Sequence, residues 1–152
     1  MRIKTGTILL LADGSRMLLL RNQGDTARLE LEVMEHRTCA NPPNREMLSD
    51  APGVGHGTSY PGRTTFDKAD PHQDNEDRFV ASAALALEEM AADRDGELVV
   101  IAPPDTLGVL RLHYGPTVKA RLIAEIDKDL TKHPVGEIER LLDRYEIPAQ
   151  SA

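Results

Sequence analysis

Residues 5–20 read Thr5-Gly6-Thr7-Ile8-Leu9-Leu10-Leu11-Ala12-Asp13-Gly14-Ser15-Arg16-Met17-Leu18-Leu19-Leu20, and this stretch decides the architecture. Asp-Gly between two apolar runs is a hairpin signal, because both turn positions favour positive φ. The run Met17 to Leu20 therefore folds back antiparallel on the run that ends at Ala12. Asn22-Gln23-Gly24-Asp25 supplies a second turn. From Leu29 to Glu35 the pattern alternates, with Leu29, Leu31 and Val33 to one side and Glu30, Glu32 and Met34 to the other. That is a half-buried third strand towards the edge of a sheet. The opening is a three-stranded antiparallel meander, and its exposed third strand would allow two copies to pair as a dimer.

Outward from the meander the pattern changes twice. Residues 37–71 hold Pro42, Pro43, Pro52, Pro61 and Pro71 among Gly53, Gly55, Gly57 and Gly62, with no period. So long a loop between regular elements is usually functional or disordered. A helix follows from about His72 to Asp93, with Phe79, Val80, Ala83, Ala84, Leu87, Met90 and Ala91 on one face. Leu98 to Ala102 is wholly apolar, as a strand covered on both faces requires. Pro103-Pro104 stops it, and a short helix is expected from about Asp105 to His113. Pro116 suits the first turn of another. Val118, Leu122, Ile123, Ile126 and Leu130 fit a helical period, while Ile123 to Leu130 reads equally as a strand. A last amphipathic helix spans about Val135 to Tyr145 and is stopped by Pro148. The whole chain, 1–152, reads as one domain.

The net charge is −7 and the pI about 5.2. That excludes broad, unspecific nucleic-acid binding, which needs a basic surface, but leaves room for a local basic patch. The single cysteine, Cys39, has no internal partner for a disulfide, which fits a reducing compartment. The apolar run Ile8 to Ala12 is too short for a secretory signal, and no run approaches the ~20 residues of a membrane-spanning helix. A cytoplasmic protein without membrane association is expected.

The ordered pieces of the chain resemble one family. Gly6-Thr7 with Leu10-Leu11-Ala12-Asp13-Gly14, then Leu20-Arg21-Asn22-Gln23-Gly24, resembles the opening of the host attachment proteins. So do Asn41-Pro42-Pro43-Asn44-Arg45-Glu46, Asp50-Ala51-Pro52-Gly53, Asp77-Arg78-Phe79, Val100-Ile101-Ala102-Pro103-Pro104, Leu107-Gly108-Val109-Leu110-Arg111 and Lys128-Asp129-Leu130-Thr131. The resemblance covers nearly the whole chain. It implies an α/β fold of ribonuclease H-like type, similar to the middle domain of archaeal and eukaryotic peptide-release factors. In that fold three antiparallel strands are followed by α-β-α-β-α around a mixed five-stranded sheet. It further implies that Ile123 to Leu130 is a strand. In the release factors a Gly-Gly-Gln loop precedes the long helix. Here that place reads Pro52-Gly53-Val54-Gly55-His56-Gly57-Thr58, without the Gly-Gly pair or the glutamine.

Several residues are candidates for chemistry. Gly53, Gly55 and Gly57 would let backbone amides approach a phosphate or an RNA backbone, with Arg45, His56, Arg63 and Arg78 supplying positive charge. Asp70 and His72 could cap the long helix or act as an acid–base pair. Asp13, Glu88 and Asp105 lie where acidic residues of ribonuclease H-like nucleases gather, although Asp13 also suits its turn, Asp105 could cap a helix and Glu88 suits a solvated face. No Cys or His spacing marks a metal site and no cofactor motif is present, so none of either is expected. The reading that follows is a binding module for the ribosome or structured RNA, non-enzymatic or weakly enzymatic, acting through the 37–71 loop. An indirect cytoplasmic part in host attachment and a metal-dependent ribonuclease are the alternatives.

Overall fold

The structure, a computed structural model, describes residues 2–39 and 71–145, the side chains of 71–74 excepted. Among the described residues nine elements run β1 (Ile8–Ala12), β2 (Arg16–Asn22), β3 (Leu31–Thr38), α1 (Pro71–Asp93), β4 (Leu98–Ile101), α2 (Pro104–His113), α3 (Pro116–Arg121), β5 (Leu122–Ile126) and α4 (Val135–Arg144). They form a mixed five-stranded sheet in the order β3-β2-β1-β4-β5. β2 is antiparallel to β1 and to β3, whereas β4 is parallel to β1 and to β5.

The apolar runs dictate this layering. Every residue of β1 and β4 is buried, so both strands are covered on both faces. On one face Ile8, Leu10, Leu98 and Val100 pack with Val80, Ala84 and Leu87 of α1, Leu107 and Leu110 of α2, and Val118 of α3. On the other, Leu9, Leu11, Val99, Ile101 and Ile126 pack with Ile138 and Leu142 of α4. Each fully buried aliphatic side chain contributes roughly 1.5–3 kcal/mol relative to exposure, and Ile138 and Leu142 are the two fully buried ones that α4 supplies. The strand ends meet tightly at one glycine. Gly96, at φ +126°, lies so near the turn that leads into β1 that a Cβ would be 2.5 Å from the Gly6 carbonyl oxygen.

Four expectations need correction. The hairpin forms, with Ala12 opposite Met17, but among the described glycines only Gly6 and Gly96 have positive φ. The Asp13 amide donates to the Arg16 carbonyl, and the Asp13 carboxylate, not a left-handed Gly14, holds the turn. The third strand starts later than the alternation predicts, at Leu31, and runs further, with Met34 as an extra residue: Leu19 faces Glu35 while Leu20 faces Val33. This bulge restarts the alternation and lets the strand continue to Thr38. The ambiguous stretch divides, its first part forming α3 and its next part β5. β5 stops at Ile126 rather than Leu130, since Asp127, Lys128 and Asp129 carry the chain out of the sheet before Leu130 is buried again. Finally, α2 begins at Pro104, with Pro103 at its N-cap and no side-chain cap bond, so Asp105 is a first-turn acid and not a cap.

Candidate functional site

In α/β sheets, ligands bind beyond the carboxyl ends of the parallel strands. Here that edge carries the β1–β2 turn, the start of α2 and the loop between β5 and α4. Asp13 stands at its centre and is 8% exposed. Its Oδ1 accepts from the amides of Ser15 and Arg16, both at 2.8 Å. Its Oδ2 accepts from the Thr131 hydroxyl at 2.9 Å, from a residue 118 positions away. Thr131 Oγ1 also lies 2.8 Å from Asp129 Oδ1, and its single proton serves one carboxylate at a time. Burial pushes the Asp13 carboxyl up, but the Ser15 and Arg16 amides, the Thr131 hydroxyl and the Lys132 charge together hold it below its ordinary value. An ionised, bonded carboxylate of this kind clamps two loops and is a poor proton donor at neutral pH.

A groove of about 260 Å³ opens beside this clamp. Arg16, His36, Arg37, Thr38 and Thr131 line it together with the apolar Met17 and Leu18, so two guanidinium groups and two hydroxyls border one space in an acidic protein. Arg16 and His36 are exposed, and Arg37 pairs with Glu35. Such a set can receive an anion such as a phosphate. The chain on either side of 40–70 is anchored at this same corner. Thr38 pairs with Arg16, and the Cys39 amide donates to the Ser15 carbonyl at 2.7 Å. On the far side, Glu76 of α1 packs over Gly14, where a Cβ would lie 2.9 Å from its carboxyl carbon.

The structure brings only some predicted residues together. Asp105 is exposed at the start of α2, on the same edge as Asp13, and Arg78 is exposed on α1. His72 falls in the first turn of α1, its side chain outside the described residues. Asp70, Arg45, Gly53, Gly55, His56, Gly57 and Arg63 lie outside them altogether. Glu88 does not join Asp13. It is twelve residues along α1 from Glu76, which at 1.5 Å per residue is about 18 Å. Nor is it simply solvated, because it accepts from the Thr117 amide at 3.1 Å and the Val118 amide at 2.9 Å at the start of α3. Among the described residues, no group of three or more His, Cys, Asp or Glu side chains is placed to hold a metal ion.

Two clusters escaped sequence reading. Arg111 donates to Glu125 at 2.7 and 2.9 Å, and the Tyr114 hydroxyl donates to the other carboxylate oxygen at 2.7 Å, fastening α2 to β5. No spacing rule could have paired a helix residue with one on a strand beyond the next helix. At the opposite edge of the sheet a groove of about 500 Å³ is lined by Lys4, Thr7, Gly96 and Arg121. There Arg121 donates to the Ala91 and Arg94 carbonyls at the end of α1, and Lys4 pairs with Glu97.

Fold and edge together define an α/β module with a carboxylate clamp and a small cationic groove at its strand ends. Residues 6–142 match the family described as bacterial archaeo-eukaryotic release factor family 12, and the protein belongs to that family. No curated protein matches the chain. The family assignment carries the release-factor relationship; it does not carry the host attachment name. Among the described residues no helix is long and apolar enough to cross a membrane.

Proposed function

We propose that this protein is a binding module of the translation machinery, engaging the ribosome or a structured RNA with the corner formed by the β1–β2 turn, the end of β3 and the start of α1. The observation that carries this reading is the release-factor family match over residues 6–142. The groove at that corner supports it, because Arg16 and Arg37 offer local positive charge for phosphates on a chain of net charge −7, with His36 beside them. The sheet order, with β2 alone running against its neighbours, supports a ribonuclease H-like assignment. The absence of Gly-Gly-Gln in residues 52–58 argues that the module binds without releasing peptide. One domain acting in the cytoplasm is part of this reading, and any effect on host attachment is then indirect.

Ribosome co-sedimentation tests it. Wild-type protein should pellet with ribosomes at low salt and dissociate as salt rises. A form with residues 40–70 replaced by a short Gly/Ser linker, and the Arg16→Glu/His36→Glu variant, should both lose association while keeping a cooperative thermal unfolding transition. Absence of association by wild type with ribosomes and with purified ribosomal RNA would sink the proposal.

A further inference from the structure

Among the described residues β3 is an edge strand of eight residues, and its outward-facing groups can be identified. The amide of Asn22 donates to Thr7, that of Gly6 to Asn22, and that of Asp13 to Arg16, so the even-numbered residues of β2 bond towards β1. The odd-numbered ones bond towards β3, as the Gln23 amide does to the Glu30 carbonyl. Their partners on β3 include Glu32, Glu35 and Arg37. By the alternation of antiparallel ladders, Leu31, Val33, His36 and Thr38 turn their amides and carbonyls away from the sheet. The Leu31 amide confirms the direction, for it donates at 2.7 Å to the Glu139 carboxylate of α4.

These outward positions are complementary to themselves. Placing Leu31 opposite Thr38 of a second copy puts Val33 opposite His36, and the reverse pairs follow by symmetry. Because Met34 is an extra residue, the outward positions are separated by three residues between Val33 and His36 and by two elsewhere. Only the two-fold register sets the long gap of one copy against the long gap of the other. The same register puts Glu32 opposite Arg37 twice, at a pairing where side chains approach closely. Shifting the second copy by two residues one way puts Glu32 opposite Glu35; shifting it the other way puts Arg37 opposite Met34. Val33, 43% exposed, is then covered by His36 of the second copy.

We propose that two copies of this chain associate through β3 in this two-fold antiparallel register, joining two five-stranded sheets into one. Glu139 occupies the Leu31 amide in the free chain and yields it to the Thr38 carbonyl of the second copy. The proposal does not rest on ribosome binding, but His36, Arg37 and Thr38 border both the groove and this interface, so association is measured without ribosomes present.

Sedimentation equilibrium of the full chain over a range of concentrations provides the test. Wild type should approach twice its 16.7 kDa and dissociate on dilution. Glu32→Arg places like charges opposite Arg37 and should weaken association about tenfold or more. Glu32→Arg/Arg37→Glu restores opposite charges and should regain the dimer, which a misfolded variant would not do. A wild type that stays at 16.7 kDa throughout overturns the proposal. So does a Glu32→Arg variant that associates as tightly as wild type, or a double variant that stays monomeric.

Discussion

Removing the Glu88 carboxylate should cost stability in a way that depends on a glycine 27 residues away. Glu88 caps α3 by accepting from Thr117 and Val118, and Val118 is fully buried, so its amide has no water to turn to. Loss of a cap costs about 0.5–2 kcal/mol. Glu88→Ala is expected to lose about 1–2 kcal/mol, which in a chain of this size lowers Tm by roughly 2–8 °C. Gly115, the N-cap of α3, has φ −86° and ψ 178°, a conformation alanine adopts freely. A Cβ there would nevertheless stand 2.5 Å from the Glu88 carboxyl carbon and 2.6 Å from its Oε1. Gly115→Ala should therefore expel the carboxylate and cost nearly as much as Glu88→Ala. In the Glu88→Ala background the clash is gone, and Gly115→Ala should be neutral or stabilise by about 0.5 kcal/mol through the unfolded chain. Urea denaturation of the four proteins, followed by circular dichroism, closes the cycle. Additive costs would refute the reasoning. The pH dependence supplies a second check. Burial raises the Glu88 carboxyl, but the bonds from Val118 and Thr117 and the Arg121 charge outweigh it and set the folded pKa below the ordinary one. The contribution of Glu88 is therefore full above about pH 4.3 and is lost as pH falls through the lowered folded value.

Three further outcomes follow from the same geometry. Asp13→Ala, which frees the Ser15 and Arg16 amides and the Thr131 hydroxyl, should cost about 2–3 kcal/mol in urea denaturation, with Asp13→Asn near half of that. The difference between wild type and Asp13→Ala should shrink as acid protonates a carboxyl whose folded pKa is depressed. Gly96→Ala combines φ +126° with a 2.5 Å approach to a backbone oxygen that cannot swing aside, so a loss of about 3 kcal/mol or more is expected, read as a lowered denaturation midpoint. Burial, the bond to Glu125 and its charge raise the Tyr114 phenol well above its ordinary value, so Tyr114 should resist ionisation until the fold opens. Alkaline ultraviolet titration of wild type against Tyr114→Phe checks this, and the stability Tyr114 contributes is full below about pH 10 and fades as pH climbs towards the raised value.

The apolar patterning made most of the fold legible. Ile8 to Ala12 and Leu98 to Ile101 could be buried only as central strands, and Val80, Ala84 and Leu87 could face only one way on a helix. The Met34 bulge was not legible, because an extra strand residue leaves no mark in hydropathy. Asp13 was readable as a turn residue, but its tie to Thr131 was not, since that contact exists only once the β5–α4 loop has packed. Glu88 sat beside an apolar stripe and read as solvated. Its partners are backbone amides of α3, and a sequence gives no sign of where an amide will point. Local chemistry was thus visible wherever both partners were near in sequence, as in the Asp13 turn, and invisible where the sheet joined them.

The corner at which β3 ends and α1 begins has a consequence for how such a chain can change over generations. Thr38 and Glu76, described residues on either side of residues 40–70, both lie beside the β1–β2 turn. Doubling the length of a connection between such neighbouring anchors costs only about 0.6 kcal/mol of closure entropy. Residues 40–70 can therefore be lengthened, shortened or exchanged as a cassette while the scaffold stays the same. Relatives that share the sheet are free to present different surfaces at this corner, and partner choice can diverge there faster than the fold does.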